Sequence, residues 1–225
     1  IVKGYYLNPL IPYYFSDVML GQNRKDNVTL AMDAAVYWPL HTRVYAQYLV
    51  DEYYYEGEPL PRRTAFLAGI DRTRCLGLDN LRLTLEYARA DRWTYNYESI
   101  APWNRLVYYN TFLGHPIGPD ADLVRIEPEL LLGDSFLLRC GAEQMRQGET
   151  DVDTPLNTHE WWGKEGDGFP SGDVRKIYHL EAELAWFPGP ALQASAAVGM
   201  MFSSSGEKQE ARFSFSIRYA GGRGL

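Results

Sequence analysis

Long segments of period-two alternation constrain this chain more than any other feature, because successive strand side chains point to opposite faces of a sheet. Within residues 28–38 the even positions Val28, Leu30, Met32, Ala34, Val36 and Trp38 are apolar, while Thr29, Asp33 and Tyr37 fall between them. The pattern recurs at 44–50, 81–87, 124–132, 136–142, 178–186, 192–202 and 211–219, with a weaker copy at 64–71. Nine strands in a meander follow. None of these windows carries the i, i+3, i+4, i+7 spacing of an amphipathic helix.

Alternation alone does not say which face meets water, since a soluble β-sandwich alternates too. The connections decide between them. Those at 39–41, 77–79, 133–134 and 188–190 are short, whereas those at 57–62, 95–121, 149–173 and 205–209 are longer, and the two kinds alternate along the chain. An outer-membrane barrel gives this pattern, with short turns at the periplasmic rim and longer extracellular loops. The segments also exceed the usual globular strand and approach the ~9–11 residues of a tilted membrane-crossing strand. Aromatics gather where strands end, at Tyr37, Trp38, Tyr87, Trp93, Tyr178, Trp186, Phe187, Phe202 and Tyr219, as in the girdles at bilayer interfaces.

Composition is compatible with this fold. No apolar run approaches the ~18 residues of a transmembrane helix. The mean hydropathy of −0.34 and net charge of −7 give no basic face for nucleic acid. The expected architecture is therefore all-β, an antiparallel up-and-down transmembrane β-barrel. The 225 residues would form one domain, with 1–6 as the tail of a preceding strand. The even strand count of bacterial barrels, together with a start at Ile1 rather than Met, leads us to expect the C-terminal part of a larger barrel, incomplete at its N-terminus.

On this reading the mixed face lines the lumen and carries Asp51, Arg82, Glu86, Arg125, Glu127, Arg139, Glu143, Glu181 and Glu183, among other charges. Both signs occur on neighbouring strands. That pattern fits either structural Arg–carboxylate pairing or a solute-selective constriction. The pairs Glu127/Glu129 and Glu181/Glu183 have the spacing any inward-facing strand produces, and no nucleophile, phosphate-loop or metal motif accompanies them. No enzymatic activity, cofactor or metal is expected. In the long loops Trp103, Tyr108, His159, Trp161 and Trp162 are candidates for stacking on and hydrogen bonding to sugar rings; the alternative is that these loops pack into the barrel mouth as a cap.

The run Val44-Tyr-Ala-Gln-Tyr-Leu-Val-Asp-Glu52 resembles a strand of the Wzi-like capsule assembly family, and Phe112-Leu-Gly-His-Pro-Ile-Gly-Pro-Asp-Ala-Asp122 is similar to that family's Gly-His-x-x-Gly-Pro segment. Ala65-Phe-Leu-Ala-Gly-Ile70 and Leu83-Thr-Leu-Glu-Tyr87 lie between them, so the resemblance covers residues 28–148. It implies a non-catalytic outer-membrane barrel of a Gram-negative-type bacterium that holds capsular polysaccharide at the cell surface. Its partners would be outer-membrane lipid, surface polysaccharide and other envelope proteins. The alternatives are a porin-like channel with an Arg/carboxylate-lined lumen, or a structural subunit of an envelope complex.

Overall fold

The computed structural model describes residues 29–51, 63–96, 107–108, 111–112, 114–151, 154, 168–189, 192–204 and 210–219. Nine long strands form one antiparallel meander: β1 (Thr29–Trp38), β2 (Thr42–Asp51), β3 (Thr64–Thr73), β4 (Leu81–Ala90), β7 (Ala121–Leu132), β8 (Phe136–Gln147), β9 (Arg175–Gly189), β10 (Leu192–Ser203) and β11 (Glu210–Tyr219). A separate two-stranded hairpin, β5 (Val107–Tyr108) with β6 (Thr111–Phe112), interrupts the connection that reads as a plain loop in the sequence. Among the described residues there is no α-helix, and no helix long and apolar enough to cross a membrane.

Each strand pairs with its neighbour in sequence, so the alternation is kept in register across the sheet. Val36 lies opposite Val44, Val44 opposite Ile70, Ile70 opposite Leu85, Leu85 opposite Ile126 and Ile126 opposite Ala142. The row continues through Leu180 and Met200 to Ala211. A slip of one residue anywhere would move a strand's apolar set to the opposite face. Pro128 lacks an N–H, and the ladder from β7 to β8 is interrupted at Glu127 and Pro128, resuming in the same register at Glu129 and Arg139.

The connections alternate between the two ends of the sheet. Gly133, at φ 60°, supplies the left-handed residue in the turn between β7 and β8. The β3–β4 connection is longer than its 77–79 sequence signal: it runs from Arg74 to Asn80 around a 3-10 turn, Cys75–Gly77. The sheet is open among the described residues, with β1 and β11 at its edges.

The apolar face is largely uncovered. Leu30, Met32, Val36, Phe66, Ile70, Leu85, Ile126, Leu180, Leu184, Met200, Phe213, Phe215 and Ile217 are all exposed. The buried residues concentrate instead where the long connections emerge, on the other face. There Ala65, Ala88, Ala90, Ala121 and Leu123 meet Tyr95 and Ile117 of the β4–β7 connection, with Leu49, Leu67 and Met145 packed against them.

Candidate functional site

Two features of the polar face can carry function: a ladder of charges across its middle, and a cap over the end where the long connections lie. The ladder follows from alternation, because residues directly opposite on paired strands share a face. Arg82 on β4 donates from Nε and Nη2 to the two oxygens of Asp71 on β3, at 2.8 and 2.7 Å, and from Nη1 to Glu129 Oε2 on β7 at 3.1 Å. Arg139 on β8 reaches Glu129 Oε1 at 2.7 Å and Glu183 Oε2 on β9 at 2.8 Å. Arg125 bonds Glu127 and lies 3.3 Å from Glu143 and 3.5 Å from Glu181, while Glu143 also lies 3.5 Å from His179. Tyr45 donates its hydroxyl to Glu86 at 2.8 Å.

Each guanidinium is thus shared between carboxylates on different strands. Bidentate and bridging pairs of this kind fix strand register as well as charge. Glycines make room for them. A Cβ on Gly69 would collide with the Tyr45 ring, and one on Gly141 would stand 2.8 Å from the Glu181 carboxylate. These small positions let long cross-strand side chains lie flat on the sheet.

Aspartates hold the cap, because short carboxylates in turns accept backbone N–H groups that no strand satisfies. Asp51, fully buried at the end of β2, accepts the N–H of Tyr95 at 2.7 Å and the hydroxyl of Thr29 at 3.3 Å. Asp120, also fully buried and at φ 54°, accepts N–H groups from Thr150 at 3.2 Å and Ser171 at 2.9 Å, together with the Ser171 hydroxyl. Asp91 accepts from Thr64 and Arg89.

The part of the β4–β7 connection that leads into β7 packs over the sheet. The N–H of His115 donates to the Tyr95 hydroxyl at 3.1 Å, and a Cβ on Gly114 would strike the Tyr95 ring. Burial raises the Tyr95 phenol above its usual range, against the lowering effect of the His115 N–H. Burial likewise lowers His115, opposed by the carboxylates of Glu86 and Glu143 and reinforced by Arg125. The N–H of Ile117 donates to His115 Nδ1 at 3.4 Å, which places the neutral ring's proton on Nε2.

The structure brings Arg82, Arg125, Glu127, Arg139, Glu143, Glu181 and Glu183 into the ladder, and ties Glu86 to Tyr45. Asp51 keeps the polar-face position that alternation gives it and is fully buried there under the cap. Trp103, His159, Trp161 and Trp162 lie outside the described residues, and Tyr108 is described only as backbone, on β5. Sequence reasoning passed over Asp91, Asp120 and Asp122; the Asp-containing turns were their only local signal. Among the described residues no group of three His, Cys, Asp or Glu side chains could hold a metal. No family model matches this chain, and neither the curated proteins nor the solved structures contain a significant match to it.

Proposed function

We propose that this chain is wall of an outer-membrane β-barrel, in a Gram-negative-type bacterium, that contacts surface polysaccharide and catalyses no reaction. The observation that carries the membrane reading is the continuous apolar face over all nine strands, exposed yet bounded by polar groups and aromatics. At one margin Arg146 on β8 donates to Asp122 on β7, Tyr87 donates to the same carboxylate at 3.1 Å, and Tyr178 stacks with Phe202 at 5.3 Å. At the other margin Phe136 stacks with Trp186 at 6.3 Å. Asp122 and Leu132 are ten positions apart on β7. At ~3.3 Å per residue and a tilt of ~40° the band between them is ~25 Å tall, the height of the lipid-facing belt of such barrels.

The sheet has an odd number of strands among the described residues, which leaves β1 and β11 running the same way. Antiparallel closure therefore needs an odd number of further strands between them. A second copy in the same orientation would offer a parallel edge and could not supply them. The cap favours a surface-contacting role over an open pore, because Tyr95, His115 and Ile117 fold onto the polar face instead of away from it. The polysaccharide assignment draws on the Gly114-His-Pro-Ile-Gly-Pro119 resemblance and on the aromatics of the long connections.

A channel is the second reading, supported by the charge ladder. Replacement of Ile126, midway across the band, by Arg tests the membrane reading: folding into lipid vesicles should weaken by ~2–4 kcal/mol. An unchanged folding free energy, or a stable water-soluble monomer without detergent, would remove it. Planar-bilayer recording then separates the roles, since a large ohmic conductance would overturn the capped reading.

A further inference from the structure

Between β1–β3 and the cap lies a recess of about 480 Å³ that the charge ladder does not use. Its volume falls within the roughly 300–1,000 Å³ of small-ligand sites. Leu49 and Leu67 form an apolar floor, Tyr95 and His115 overhang it, and Asp33 and Gln47, opposite one another on β1 and β2, stand at its rim. Asp33 and Gln47 are exposed.

We infer that this recess is a binding subsite for an uncharged sugar ring. A pyranose presents an apolar C–H face and a rim of hydroxyls, each both donor and acceptor. The floor matches the first, and the rim supplies complementary partners for the second. The Asp33 carboxylate accepts, the Gln47 amide does both, and His115, with Nδ1 facing the Ile117 N–H, has Nε2–H to donate.

The charge balance selects a neutral sugar over a uronic acid. Asp33 is an anion, and the cation among the lining residues, Arg89, has its guanidinium committed to Asp91 at 2.9 Å and stacked over the Phe169 ring at 3.6 Å. An anionic sugar would meet repulsion without a free countercharge. The subsite rests on the polysaccharide-contacting reading and names where one residue of such a polymer sits.

The test titrates the full-length protein in detergent micelles, by calorimetry, with neutral oligosaccharides of glucose, galactose and mannose and with an oligogalacturonate. At least one neutral series should bind, at least tenfold more tightly than the oligogalacturonate. Asp33→Asn and Gln47→Ala should each weaken that binding tenfold or more; heat-shifted gel mobility verifies that both exposed-site variants fold. If neutral oligosaccharides bind both variants as tightly as the unsubstituted protein, or the oligogalacturonate binds more tightly, the subsite is overturned while the polysaccharide reading stands. If neither these probes nor the purified surface polysaccharide bind, both fall.

Discussion

Replacing Asp120 by Ala should loosen the cap without touching the strands. The carboxylate takes two backbone N–H groups and one hydroxyl, from Thr150 and Ser171, at a fully buried position. A buried donor left without an acceptor costs ~1–3 kcal/mol, and bonds to a charged acceptor lie at the upper end. Gly148 packs directly against the carboxylate, so water can enter only the space that the carboxylate vacates. Ala at φ 54° adds a further ~1 kcal/mol of backbone strain. Allowing for partial relaxation, the local opening free energy should fall by about 4 kcal/mol, or roughly a thousandfold in exchange rate. Asp120→Asn keeps one acceptor oxygen and tolerates the left-handed backbone, so it should lose only ~1–2 kcal/mol. The assay is native-state amide hydrogen exchange, read at Thr150 and Ser171 and, as a reference, at Leu138 and Leu184 in the ladders of β8 and β9. Protection of Thr150 and Ser171 that is unchanged in Asp120→Ala, or lost equally at the reference amides, would refute the view of Asp120 as a local clamp.

Gly69→Ala should destabilise folding by ~1–3 kcal/mol, since the new Cβ meets the Tyr45 ring; denaturant unfolding of the double variant with Tyr45→Ser should recover most of that loss. Arg139→Met leaves Glu129 and Glu183 without their shared donor; because Arg139 is more than a third exposed, a cost of ~1–2 kcal/mol is expected, with a coupling energy to Glu183→Gln measurable in a double-mutant cycle. The cap should also respond to pH through His115. Its folded pKa lies below the ordinary 6.5, so its neutral form is favoured by folding. The contribution is complete above 6.5 and is lost as pH falls below it, towards the folded value. The protection factor of the Ile117 amide, with the base-catalysed intrinsic exchange rate divided out, should therefore fall on acidification through this window, and His115→Gln should remove that fall; an identical protection profile in the variant would sink the assignment.

Much of the sheet was legible because its code is local. The alternation of Leu30, Met32, Val36 or of Leu180, Leu184, Trp186 specifies a two-faced strand from each segment's own residues, and strand order follows once short connections force neighbours to pair. Ladder membership was legible for the same reason, since Arg82, Arg139 and Glu183 occupy alternate positions on strands that must lie side by side. The hairpin of β5 and β6 was not, because two-residue strands are too short to show a period.

A cap was among the alternatives, but the contacts that hold it lay beyond such reasoning. Asp51 and Tyr95 are 44 residues apart and Asp120 and Ser171 are 51 apart, and no periodicity links them. By alternation Asp51 reads as one more wall charge; burial beneath Tyr95 makes it a tie between connection and sheet. The sequence by itself determined a nine-strand antiparallel meander with one apolar and one charged face, because strand geometry repeats every two residues. Only the tertiary structure decided which carboxylates the described parts of the long connections bury, because those choices depend on partners far apart in the sequence.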